Sequence, residues 1–73
     1  MIAEQIEPLR FERLPAVCKR IGVGRSTLYR WIEARKFPAP IRIGENTSAW
    51  DARAVDAWMR KRIAASSENQ WVA

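Results

Sequence analysis

The chain has 73 residues, a formal net charge of +5, no histidine and a single cysteine. A chain this short makes one small domain, and its modest core must draw on four Trp, two Phe and one Tyr. The missing histidine and the lone Cys18 exclude a Cys/His zinc site, an internal disulfide and any histidine-based acid/base or triad mechanism; no carboxylate pair, metal cluster or phosphate loop has usable spacing either, so no metal, no cofactor and no enzymatic activity are expected.

Residues 1–12 carry mixed charges, Pro8 and weak periodicity, which predicts a flexible N-terminal arm or a short extended lead-in. From residue 13 the pattern sharpens into a domain expected to run to residue 65. Leu14, Val17, Cys18 and Ile21 follow the i, i+3, i+4, i+7 spacing of a helix stripe. Pro15 suits the first turn, where its missing N–H costs nothing, and Gly22 stands where a left-handed residue ends a helix. Cys18 lies on the apolar stripe and reads as a small core residue.

Gly22-Val23-Gly24 is a short connection to a second helix predicted from Arg25 to Lys36. Helix, Gly-containing turn and helix together make a helix-turn-helix pattern. On the wheel, Leu28, Trp31, Ile32 and the stem of Arg35 fall on one side, and Ser26, Tyr29, Arg30 and Glu33 on the other. An apolar inner stripe with a hydroxyl, phenol and guanidinium outer face suits a major-groove reader, because base edges present donors and acceptors. Gly24 as N-cap offers no side-chain oxygen, so the first free N–H groups stay available to a phosphate. The charge is concentrated here: seven basic residues stand against Glu33 alone between Lys19 and Arg42, the electrostatic footprint of a polyanion binder.

Pro38 and Pro40 then forbid helix and impose an extended path. Ile41 and Ile43 alternate with Arg42, Gly44 to Thr47 make a turn, and Ser48-Ala49-Trp50 pair back. A hairpin this small is marginal alone, so Ile41, Ile43 and Trp50 are expected to pack on the helices. Asp51 is a good N-cap for a third helix from Ala52 to about Ala65, with Val55, Trp58, Met59 and Ile63 as its stripe. Residues 66–73 form a polar C-terminal tail apart from Trp71 and Val72. The predicted fold is mainly α with a small β-hairpin: a winged helix-turn-helix of three helices plus a two-stranded wing.

Four blocks occur in series: Gly22 with the run Arg25 to Ile32 (RSTLYRWI), Phe37 to Pro40 (FPAP), Ile41 to Gly44 (IRIG), and Trp50, Val55 and Trp58 as W-x4-V-x2-W. In that order they resemble the AlpA-type phage and prophage regulators, small winged-helix relatives of the MerR and excisionase DNA-binding domains. The resemblance places a recognition helix on Arg25 to Lys36 and a wing on Arg42 to Ser48. It implies a regulator of the kind that activates prophage integrase genes, and similar folds serve as excisionases that bend attachment-site DNA. Three positions depart from the family's usual pattern: Gly24 where Ser or Thr is usual, Arg35 where Gly is frequent, and Ala54 where an acidic residue is common.

The expected function is therefore a sequence-specific regulator that binds double-stranded DNA. Arg25, Ser26 and Thr27 would enter the major groove, with Tyr29 and Arg30 on base edges or flanking phosphates. Lys19, Arg20 and Lys36 would hold phosphates, and Arg42, Asn46 and Thr47 would bring the wing to an adjacent minor groove or backbone. Tyr29 has an alternative as a cover for the wing, and Thr27 as a partner of its own helix backbone. A module this small buries little surface, so further copies of the chain are expected on repeated or paired sites. Integrase or RNA polymerase are further candidate partners. With no membrane-span run and no secretory signal pattern, a cytoplasmic, nucleoid-associated location without a membrane partner is expected. Two alternatives stay open: an excisionase-like architectural factor that bends DNA, and a protein-interaction adaptor.

Overall fold

The computed structural model describes residues 8–69. The expectations for the start of the arm and for Trp71 and Val72 fall outside the described residues. The elements run β1 (Phe11–Glu12), α1 (Leu14–Ile21), α2 (Arg25–Glu33), β2 (Ile41–Gly44), β3 (Thr47–Asp51) and α3 (Ala52–Asn69). Three helices and a β2–β3 wing make the winged helix-turn-helix.

Pro15 sits in the first turn of α1, and the Arg13 carbonyl accepts the Val17 N–H at 3.0 Å. The helix stops because Gly22 takes φ 86°, which lets the N–H groups of Gly22 and Val23 both reach the Cys18 carbonyl, at 2.8 and 3.2 Å. Val17 from α1, Leu28 from α2 and Val55 from α3 are fully buried at the centre. Each such side chain contributes about 1.5–3 kcal/mol relative to exposure. Cys18, Ile21, Val23, Trp31 and Ile32 pack around them, half-buried.

The second helix is shorter than its periodicity suggests: it ends at Glu33, not Lys36. Arg35 adopts φ 62°, its N–H donates to the Ile32 carbonyl at 3.0 Å, and the Lys36 N–H donates to the Trp31 carbonyl at 2.7 Å. These two bonds form a Schellman closure around a left-handed residue, a place where glycine carries no Cβ penalty and arginine does.

The sequence reading stops at two strands, and the structure adds a third. Its order is β1-β3-β2, all antiparallel. Phe11 pairs with Asp51 and Glu12 with Trp50, and the Ala52 N–H reaches the Arg10 carbonyl at 2.9 Å. The central strand β3 therefore receives the burial, through Ala49 and Trp50. The expected packing of Ile41 and Ile43 is not found; they are 46% and 40% exposed. Strand β2 lies at the sheet edge, and an irregularity between Arg42 and Gly44 takes Ile43 out of register with β3. Asn46, at φ 55°, supplies the left-handed residue of the wing turn.

Asp51 caps α3 as expected: its Oδ1 accepts the Arg53 N–H at 2.9 Å, and the Arg53 guanidinium reaches back to Oδ2 at 3.0 Å. The helix continues to Asn69, past the predicted end near Ala65, because no Gly or Pro interrupts it. Its apolar stripe outruns the core. Val55 is buried and Trp58 and Met59 are half-buried, but Ile63, expected on the packed face, is 65% exposed.

Two measurements follow from these ends. Arg35→Gly should raise the unfolding free energy by about 0.5–1 kcal/mol in urea titration, since relief of the left-handed strain exceeds the added chain entropy. Bonding to the Arg53 side chain and backbone holds the Asp51 carboxyl below its ordinary 3.8. Its contribution is thus complete above that value and lost as pH falls through the lowered folded-state pKa. Asp51→Asn should melt lower than the parent near neutral pH, and the two melting curves should converge in strong acid.

Candidate nucleic-acid interface

The geometry of α2 separates two jobs. Leu28 anchors the helix in the core while Arg25, Ser26 and Arg30 are exposed and Tyr29 is 49% exposed. Thr27 is half-buried between the faces. Gly24 caps the N-terminus of α2 with no side-chain hydrogen bond, so it brings no oxygen of its own to the first N–H groups.

Arg25 and Tyr29 line a cleft of about 580 Å³. Asn46 and Ser48 of the wing line it too, together with Pro40 and Trp50. Arg42 and Asn46 are exposed along the wing tip. Thr47, beside them, donates its hydroxyl proton to the Glu45 carbonyl at 3.0 Å and so holds the turn. Lys19 is exposed on α1, and Lys36 is exposed just beyond α2, at the end away from the cleft.

Arg20, expected to meet phosphate, is engaged inside the fold. Its Nη2 donates to Asp56 Oδ1 at 2.7 Å and to the Ala52 carbonyl at 3.2 Å. Its Nε faces Glu12 Oε1 at 3.3 Å, an ion pair without the alignment of a good hydrogen bond. The side chain thus ties β1, α1 and α3 together. Its two acidic partners balance it, so it is withdrawn from the basic face.

The cleft also contains Arg13, the first residue of the predicted domain, to which the sequence assigns no role in binding. Only the tertiary placement of α1 against the wing brings it there, and no local pattern marks it. Among the described residues no group of three or more Cys, Asp or Glu side chains is close enough to hold a metal ion. No described helix is long and apolar enough to cross a membrane.

Residues 10–63 match the family described as Prophage CP4-57 regulatory protein (AlpA). The chain belongs to the AlpA family. The matched stretch spans everything from the residue before β1 to the exposed Ile63 of α3, so it includes the helix-turn-helix and the wing. The chain is 42% identical over 55 residues to an uncharacterised protein, ORF88, of Enterobacteria phage P4; the alignment covers 75% of this chain and 62% of that protein. It is 30% identical over 60 residues to the DNA-binding transcriptional activator AlpA of Escherichia coli, covering 74% of this chain and 86% of that protein. No solved structure matches the chain significantly.

The internal role of Arg20 distinguishes it from its neighbour. Arg20→Ala should cost about 1–3 kcal/mol in denaturant unfolding, because Glu12 and Asp56 lose their partner. Lys19→Ala should leave the unfolding curve unchanged within about 0.5 kcal/mol.

Proposed function

We propose that this AlpA-family chain is a transcriptional regulator of the phage or prophage type that reads a specific sequence in double-stranded DNA. The observation that carries the reading is the division of α2: Leu28 is fully buried, while Arg25, Ser26, Tyr29 and Arg30 stand exposed along the helix, with the wing across a cleft from it. A short helix anchored on one face and polar on the other fits the major groove, which displays a distinct donor and acceptor pattern for each base pair. The basic run around α2 supplies the sequence-independent attraction to phosphate. The activator of Escherichia coli supports the same class of function.

In this reading Arg25, Ser26 and Thr27 enter the groove first. Arg30 makes the bidentate contact to guanine, and Tyr29 meets a base edge or the flanking backbone. Lys19 and Lys36 touch phosphates, which position the domain without specifying sequence. Arg42 and Asn46 carry the wing to the adjacent minor groove or its backbone, and Thr47 shapes the turn that presents them. Arg20 is left out, since Glu12 and Asp56 hold it. A single copy covers little DNA, so binding is cooperative between copies at repeated or paired sites.

The test is a selection from random duplex DNA with the purified chain at two salt concentrations. The expected result is an enriched short motif, with log affinity falling against log salt at a slope of about −4 to −5 for about five neutralised phosphates. Arg30→Ala should relax preference at one base pair, removing about 1–3 kcal/mol of discrimination. Lys36→Ala should weaken all sequences alike and reduce the slope by about one. Binding without any enriched motif, or uniform losses from both variants, would overturn base reading by Arg30.

A further inference from the structure

We propose that Arg13 is a phosphate clamp: it seats the one DNA strand that must pass between the recognition helix and the wing. The inference rests on the duplex-binding reading above and adds a residue and a seat to it. A major groove and the minor groove beside it are divided by a single sugar-phosphate strand. A domain that puts α2 into one and its wing into the other has to straddle that strand. The cleft between α2 and the wing is where the strand would lie.

The lining of the cleft suits a polyanion. Arg13 and Arg25 enter it from the starts of the two helices, Tyr29, Asn46 and Ser48 add polar groups, and no carboxylate is among its lining residues. Part of this lining is stiff. Trp50 is buried and fixed by its indole N–H to the Pro38 carbonyl at 2.8 Å.

Arg13 is also held ready. It is the N-cap residue of α1, with φ −88° and ψ 170°, and its carbonyl is bonded to the Val17 N–H, which fixes its backbone. The nearest acid in sequence, Glu12, is already shared between Arg10 at 3.4 Å and Arg20 at 3.3 Å. Among the described residues no acid forms an ion pair with Arg13, and the residue is exposed, which suits its guanidinium to an external anion. A planar guanidinium can grip two phosphate oxygens at once.

The experiment measures binding of the full chain to a duplex carrying the selected motif, at several salt concentrations. The same duplex is then made with one phosphate at a time replaced by a neutral methylphosphonate. The parent chain should lose affinity at a phosphate on the strand bordering the minor groove. Arg13→Ala should bind every sequence roughly tenfold more weakly, reduce the salt slope by about one, and lose its sensitivity to that one substitution. Arg13→Lys should keep the slope, and Arg60→Ala, an exposed cation on α3, should leave both affinity and profile unchanged. Melting temperatures equal to the parent's establish that each variant is folded. If Arg13→Ala keeps the parent slope and methylphosphonate profile, the clamp is wrong and the regulator reading stands. If Arg60→Ala matches its losses, net charge accounts for them and the clamp is wrong. If the parent chain binds no duplex, the regulator reading fails and the clamp falls with it.

Discussion

Two indole N–H groups hold the middle of this chain. Trp58 Nε1 donates to the Lys36 carbonyl at 2.7 Å, and Trp50 Nε1 to the Pro38 carbonyl at 2.8 Å. Between those carbonyls lies Phe37, buried, with its ring edge-on to Trp58 at 4.8 Å and to Trp50 at 6.4 Å. The linker from α2 to the wing has no regular structure to satisfy its backbone. Pro38 and Pro40 bring no N–H, so its need is for donors to its carbonyls. One tryptophan comes from the third helix and the other from the central strand. The bracket therefore fixes the path of the chain from the end of α2 to the start of the wing. Trp31 extends the cluster, its ring 5.8 Å from Trp58, and Arg62 covers Trp58 at 5.1 Å.

Charge is divided in the same way, between groups that hold the fold and groups that face out. Arg20 and Arg25 are close in sequence and look alike as members of one basic run. Arg20 binds Asp56 and faces Glu12, joining three elements, whereas Arg25 opens into the cleft. Breaking a partly buried ion pair costs more than the pair contributes, because the remaining charges have lost water and partner together. That asymmetry makes Arg20 a poor candidate for exchange with phosphate.

The sequence made the helices, their starts, the Gly22 stop and the two-strand wing readable, since each rests on local chemistry: a stripe, a cap, a left-handed glycine, a proline pair. Asp51 is legible as a cap for the same reason. What stays hidden depends on partners distant in the chain. Strand β1 is two residues long and exists only because β3 accepts it, so no alternation in its own sequence marks it. The fate of Arg20 depends on Asp56, 36 positions away. The exposure of Ile41 and Ile43 follows from strand order and a slip of register, neither of which a period-two pattern encodes. In the candidate interface, the polar face of α2 is visible on a helical wheel, but the approach of Arg13 to the wing is not.

The edge position of β2 has a consequence for how the chain behaves among its neighbours in a crowded solution. A strand with one unpaired flank and two exposed isoleucines is an invitation to edge-to-edge association and, at length, to aggregation. Here Pro40 precedes the strand and removes a donor, Arg42 places a charge between the isoleucines, and the break in register at Ile43 interrupts the ladder. The irregularity that turns Ile43 outward therefore also spoils the template an incoming strand would need.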